Sequence, residues 1–193
     1  ARIADEATVD KVYLGEVVCS KRMPFTADLM GNAIERLERG GKTVVLSTLA
    51  MPTLPRERRL MRDLIDGFDH LIEVNDASTL VQLTGRPHTI GPFVNIYNET
   101  TLAYLARRGT VAACLPPELP LTSISSIAKA NEGVAIEVFA FGRIPLAISA
   151  RCYHARVHNL TKDGCQFVCI EDPDGLDVDT LDGQPFLSVN GVQ

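Results

Sequence analysis

The 193-residue chain has no tryptophan and no low-complexity tract. No apolar run approaches the ~18–20 residues that a membrane-spanning helix requires. Its opening, ARIADEATVD, holds no apolar stretch of the kind a secretory leader needs. The expectation is a cytoplasmic protein without a transmembrane segment. Concentrated positive charge is also missing: Lys and Arg are scattered, the formal net charge is -5 and the pI is about 5.4. That excludes the basic stripe of a nucleic-acid binder. The chain contains neither H-E-x-x-H nor G-x-S-x-G, and no cysteine stands beside a plausible His and Asn set. A peptidase reading therefore starts without a nucleophile or a zinc motif.

What is present is a core. Hydrophobic residues make up 46% of the chain, enough for one domain over residues 1–193. Strand-length apolar runs lie at Lys11–Val18, Lys42–Ser47, His70–Asn75, Thr89–Ile96, Thr110–Leu115, Val134–Phe141 and Pro185–Asn190. Helical patterns alternate with them at Thr26–Arg39, Pro55–Gly67, Asp76–Thr84, Glu99–Arg108 and Thr122–Asn131. Thr26 and Asn98 suit N-caps, and Gly40 and Gly109 suit C-cap positions. Strand–helix alternation implies a parallel sheet, and many near-continuously apolar strands imply a barrel. A full (β/α)₈ barrel takes ~250 residues. The expected fold class is thus α/β, a partial TIM-like barrel. The stretch 145–183 breaks the rhythm, is polar, and is expected to be a cysteine-bearing insertion or loop near the C-terminal end.

Barrel enzymes work at the C-terminal ends of their strands. In this chain those ends carry Glu16, Glu73, Asn95, Tyr97 and Glu137, which become substrate-pocket candidates. His70 and His88 start strands and read as solvent-edge residues.

The cysteines carry the strongest chemical signal. Cys19 ends the first apolar run, and Cys152, Cys165 and Cys169 crowd RCYHARVHNLTKDGCQFVC. Cys114, inside VAACLPPEL, reads as a small buried hydrophobe. In a reducing cytoplasm, thiols bind metals or catalyse more often than they pair. Two metal readings stand side by side on spacing. His154 and His158 (H-x₃-H) with Cys165 and Cys169 (C-x₃-C) make a formal Cys₂His₂ zinc set. Cys19, Cys152, Cys165 and Cys169 together make an iron–sulfur set, since soft thiolates suit such clusters.

The segments YLGEVVCSKR, KTVVLSTLA, LIEVND, VNIYNETTL, CLPPELP, EVFAFGRIPLAISARCYHAR and FLSVNGVQ resemble, in order, the collagenase-like peptidase family, and most closely its UbiV branch. The resemblance implies a barrel-like fold and a chain lacking the family's first strand and C-terminal section. It implies that Cys19, Cys152, Cys165 and Cys169 ligate a [4Fe–4S] cluster, with zinc as the alternative metal. It further implies a subunit of an oxygen-independent hydroxylase of aromatic ubiquinone precursors, heterodimeric with a UbiU-like partner and using prephenate as oxygen source. The remaining alternatives are a non-catalytic scaffold with a structural metal and a collagenase-like peptidase.

Overall fold

A computed structural model describes residues 2–22 and 27–189 of the chain. It divides into two compact units, the first ending at Ala140 and the second beginning at Phe141. The expected caps and strand ends at Thr26 and Asn190 lie outside the described residues.

The first unit opens on a single helical turn, α1 (Arg2–Asp5), and then alternates strand and helix. Its strands are β1 (Lys11–Leu14), β2 (Thr43–Ser47), β3 (Leu71–Val74), β4 (His88–Ile90), β5 (Thr110–Cys114) and β6 (Ala135–Glu137). Between them run α2 (Ala27–Arg39), α3 (Pro55–Gly67), α4 (Ala77–Gln82), α5 (Glu99–Ala106) and α6 (Leu121–Ala130). All six strands are parallel and lie in chain order. The helices start where local chemistry dictates. Pro55 supplies a pre-set φ at the first position of α3, Asp76 accepts from the backbone of Ser78 and Thr79, and Asn98 accepts from Thr101 N at 2.8 Å. At the end of α2 the left-handed residue is Gly41 (φ 76) rather than Gly40, and Lys42 N closes the turn on Leu37 O.

Register divides the sheet into two faces. Val12, Leu14, Val44, Leu46, Ile72, Val74, Ile90, Ala113 and Ile136 share one face and pack with α2, α3, α5 and α6 residues such as Ile34, Leu64, Leu102 and Ile127. The other face carries Lys11, Tyr13, Ser47, Glu73, Thr89, Cys114 and Glu137. In a flat sheet the outermost of six strands would stand about 24 Å apart. Here Lys11 Nζ of β1 lies 2.6 Å from Glu137 Oε1 of β6, and Tyr13 donates its hydroxyl to Glu137 Oε2. The sheet is therefore a curled half-barrel with the polar face inward, in accord with the partial barrel expected from sequence.

The second unit contains α7 (Tyr153–Val157), a 3₁₀ turn at Val168–Ile170, and an antiparallel hairpin of β7 (Leu176–Asp179) and β8 (Pro185–Val189). Two expectations are corrected here. The last apolar run does not join the parallel sheet, which has six strands among the described residues and not seven. The acidic run before it is not loop throughout: Leu176–Asp179 is an exposed strand, and the turn Thr180–Gly183 after it reverses the chain, with Gly183 in the left-handed region. No helix among the described residues is long and apolar enough to cross a membrane.

Candidate functional site

Chemistry-bearing side chains gather in two places, one in each unit. In the first unit, the inner face of the half-barrel places two carboxylates near one thiol. Glu73 is 8% exposed and accepts from Asn75 Nδ2 at 3.0 Å. Burial pushes its carboxyl above the ordinary range, and the nearby Glu137 charge adds to that, while hydrogen bonds from Ser47 and Asn75 oppose it. Burial likewise raises the Tyr13 hydroxyl, reinforced by its hydrogen bond to Glu137. Cys114 stands on this face in β5, half-buried rather than fully buried. Burial first, then Glu137 and Glu73, push its thiol up to about 11. A thiol raised in this way is a poor nucleophile at neutral pH.

Asn75 anchors the C-terminal end of β3. It is 2% exposed, donates to Thr48 O at 3.1 Å as well as to Glu73, and its backbone N–H donates to Thr48 Oγ1 at 3.2 Å. Thr48 in turn donates to Glu73 O. Gly91 lies against this amide: a Cβ there would stand 1.9 Å from Asn75 Oδ1.

The other strand-end candidates take different roles. Glu16 turns back on its own loop, accepting from Val18 N at 2.8 Å and Cys19 N at 3.2 Å. Asn95 is exposed with φ 62 and ends a 3₁₀ turn, Pro92–Val94. Tyr97 is exposed and donates its hydroxyl to Glu118 Oε1. Of the five, Glu73 and Glu137 interact electrostatically on the inner face.

Cys19 follows β1 in a loop fastened at several points. Ala50 N donates to Val17 O, Arg22 N donates to Cys19 O, and Ser20 Oγ donates to the buried Glu57 at 2.9 Å. Glu57 also accepts from Leu54 N at the start of α3. Sequence reasoning passed over Glu57. Its signal was a Glu three residues after the residue that precedes a helix-starting proline.

In the second unit, Cys152 caps α7 and its Sγ accepts from Ala155 N at 3.4 Å. α7 packs against the turn Val168–Ile170, which contains Cys169, and Val168 N donates to Cys165 O. Between Cys165 and Cys169 the chain passes through two successive left-handed non-glycine residues, Gln166 (φ 50) and Phe167 (φ 59). Such a pair is costly for residues other than glycine. None of the five cysteines forms a disulfide.

Beside them, His154 is 1% exposed and stacks on His158, with ring centroids 5.4 Å apart and planes 15° apart. Asp172 Oδ2 lies 2.9 Å from His154 Nε2 and 3.7 Å from His158 Nε2. The H-x₃-H spacing was visible in the sequence, but Asp172 was one acid among many in the run that follows.

The sequence model of a known family, peptidase family U32, matches residues 1–172. No solved structure matches the chain.

Proposed function

Because the chain belongs to peptidase family U32, the collagenase-like family, we propose that it is a UbiV-like iron–sulfur subunit of an oxygen-independent hydroxylase. Its substrate would be the aromatic ring of a prenylated quinone precursor, and its partner a UbiU-like subunit. Cys152, Cys165 and Cys169 would hold a [4Fe–4S] cluster, with Cys19 as fourth ligand. The observation that supports this is that Cys152 caps α7 while Cys169 lies in the turn packed against that helix and Cys165 is hydrogen-bonded to the turn's first residue, none of the three in a disulfide. The donor set fits: soft thiols, one already accepting a backbone N–H, a contact that tunes cluster potential. When bound, the cluster supplies the redox centre that ring hydroxylation without O₂ needs.

The chain's own residues bind and orient. The inner face of the half-barrel offers the buried Glu73 carboxyl, whose pKa burial raises, as a hydrogen-bonding partner for a hydroxyl on the ring. Lys11 and Tyr13 hold the Glu137 carboxylate in place beside it.

The test is anaerobic purification, or reconstitution with iron and sulfide, followed by absorption spectroscopy and iron analysis. A brown protein with a broad near-visible band is expected. Cys19→Ser, Cys152→Ser, Cys165→Ser and Cys169→Ser should each lose most of the iron, while Cys114→Ser keeps it. A colourless, zinc-loaded protein, or full iron content in Cys19→Ser, would sink the reading. Variants that lose iron and stability together but leave hydroxylation by the assembled heterodimer intact would favour a structural metal instead.

A further inference from the structure

We propose that His154, His158 and Asp172 form a second metal site, separate from the cysteine set, for a zinc-class divalent cation. The geometry is that of a two-histidine, one-carboxylate centre. The three ligand atoms, His154 Nε2, His158 Nε2 and Asp172 Oδ2, lie within 4.8 Å of one another. Metal–ligand bonds of ~2.0–2.2 Å place tetrahedral ligand atoms about 3.3–3.6 Å apart. The observed 2.9 and 3.7 Å to Asp172 bracket that value.

Hydrogen bonding does not account for the convergence. Both Nε2 atoms are buried yet have no hydrogen-bond partner, because the close approach of His154 to Asp172 is not aligned for one. Buried polar atoms are nearly always paired, so two orphans facing one carboxylate call for a ligand. The orientation of His154 is set from behind: its Nδ1 lies 3.3 Å from Val189 O, the last residue of β8. A metal-bound histidine commonly donates its other ring N–H to a backbone carbonyl, which fixes the tautomer that leaves Nε2 available. His154 lies in α7 and His158 four residues on is its C-cap, so the i, i+4 spacing keeps both rings on one side, and their stacking holds the second nearly parallel to the first. Two imidazoles and a carboxylate suit borderline cations such as Zn²⁺, Co²⁺ and Fe²⁺, not Ca²⁺ or Mg²⁺. Three protein ligands leave a coordination position open to water or to a substrate oxygen.

This differs from the Cys₂His₂ zinc set that the spacing suggested. Asp172, and not Cys165 with Cys169, completes the histidine pair, and the thiols are left for the cluster.

Co²⁺ is the probe, since its ligand-field spectrum reports coordination and its thiolate charge-transfer band reports sulfur. The full chain, stripped with chelator and kept reduced, is titrated with Co²⁺. One equivalent is expected to give ligand-field bands that survive in Cys165→Ser and Cys169→Ser and that Zn²⁺ displaces. Asp172→Asn and His158→Ala should each weaken this binding about tenfold or more. Circular dichroism checks that both variants fold, and His158 is partly exposed, so its removal is tolerated. Binding that is unchanged in folded Asp172→Asn, or that is lost in Cys165→Ser with its thiolate band, overturns the proposal. So does a folded chain that binds no Co²⁺. Iron and sulfide content report the cluster separately, so either reading can fail alone.

Discussion

Gly91→Ala is expected to lower the melting temperature by about 6–12 °C, corresponding to about 3 kcal/mol. Gly91 has φ -81, an ordinary value for any residue, so backbone strain plays no part. Replacing glycine by alanine at such a position normally stabilises by about 0.4–1 kcal/mol through the unfolded chain. Here sterics outweigh that gain. The new Cβ would stand 1.9 Å from Asn75 Oδ1 and 2.8 Å from its Cγ. The amide is buried and cannot rotate away without breaking its bonds to Thr48 O and Glu73. Leaving such groups unpaired costs about 1–3 kcal/mol each. The companion variant Asn75→Ala removes the obstacle, so Gly91→Ala in that background should cost far less, with a coupling of about 1–3 kcal/mol. Thermal unfolding by circular dichroism of the four proteins reads it out. An unchanged melting temperature in the single variant would show that Gly91 does not pack on Asn75.

His88→Ala is expected to cost about 2–4 kcal/mol at neutral pH. The ring is 0% exposed, with Nδ1 2.8 Å from Arg86 O and Nε2 2.9 Å from Thr110 Oγ1. That pattern fits a neutral imidazole donating from Nδ1 and accepting at Nε2. Burial lowers its pKa below the ordinary 6.5, against a smaller opposing effect of the Arg86 carbonyl. The sign follows. The unfolded chain takes up the proton first as pH falls, so the stability from His88 is complete above 6.5 and is lost below it, toward the folded-state value. His88→Gln keeps a donor and an acceptor but cannot titrate. The wild type should therefore lose more stability than His88→Gln between pH 7.5 and 5.5, measured by denaturant unfolding. Parallel losses in the two proteins would refute a buried neutral ring.

His88 also shows where reading the sequence fell short. A histidine after Arg-Pro at the start of a strand looks like a solvent edge, and only the pairing of β4 with β5 buries it against Thr110. Helices were the most legible elements. Pro55 and the 3.6-residue pattern fixed α3 to the residue, because both signals are local. β4 was read too long, through Ile96, because apolar content continues while Pro92 removes the N–H a ladder needs and the chain turns into a 3₁₀ segment. The six strands of the parallel sheet came through; their faces, and β7, did not. Parallel strands buried on both sides read as continuous apolar runs, so nothing local marks Tyr13, Ser47, Glu73 and Cys114 as sharing one inner surface. The cysteine region was legible as donors and spacings, while the hairpin beside it was hidden by its acidic, exposed strand.

The contact of Lys11 and Tyr13 with Glu137 joins residues 126 and 124 positions apart, whereas every strand pair in the half-barrel joins consecutive strands. Loop closure costs more as the loop lengthens. A ribosome delivers the chain in the order in which the sheet is laid, so each new strand finds its neighbour already made. β1 alone must wait, its inward side chains Lys11 and Tyr13 without their carboxylate until Glu137 emerges. The curl is thus drawn shut by the last strand of the parallel sheet to be made, and a nascent half-barrel is an open one.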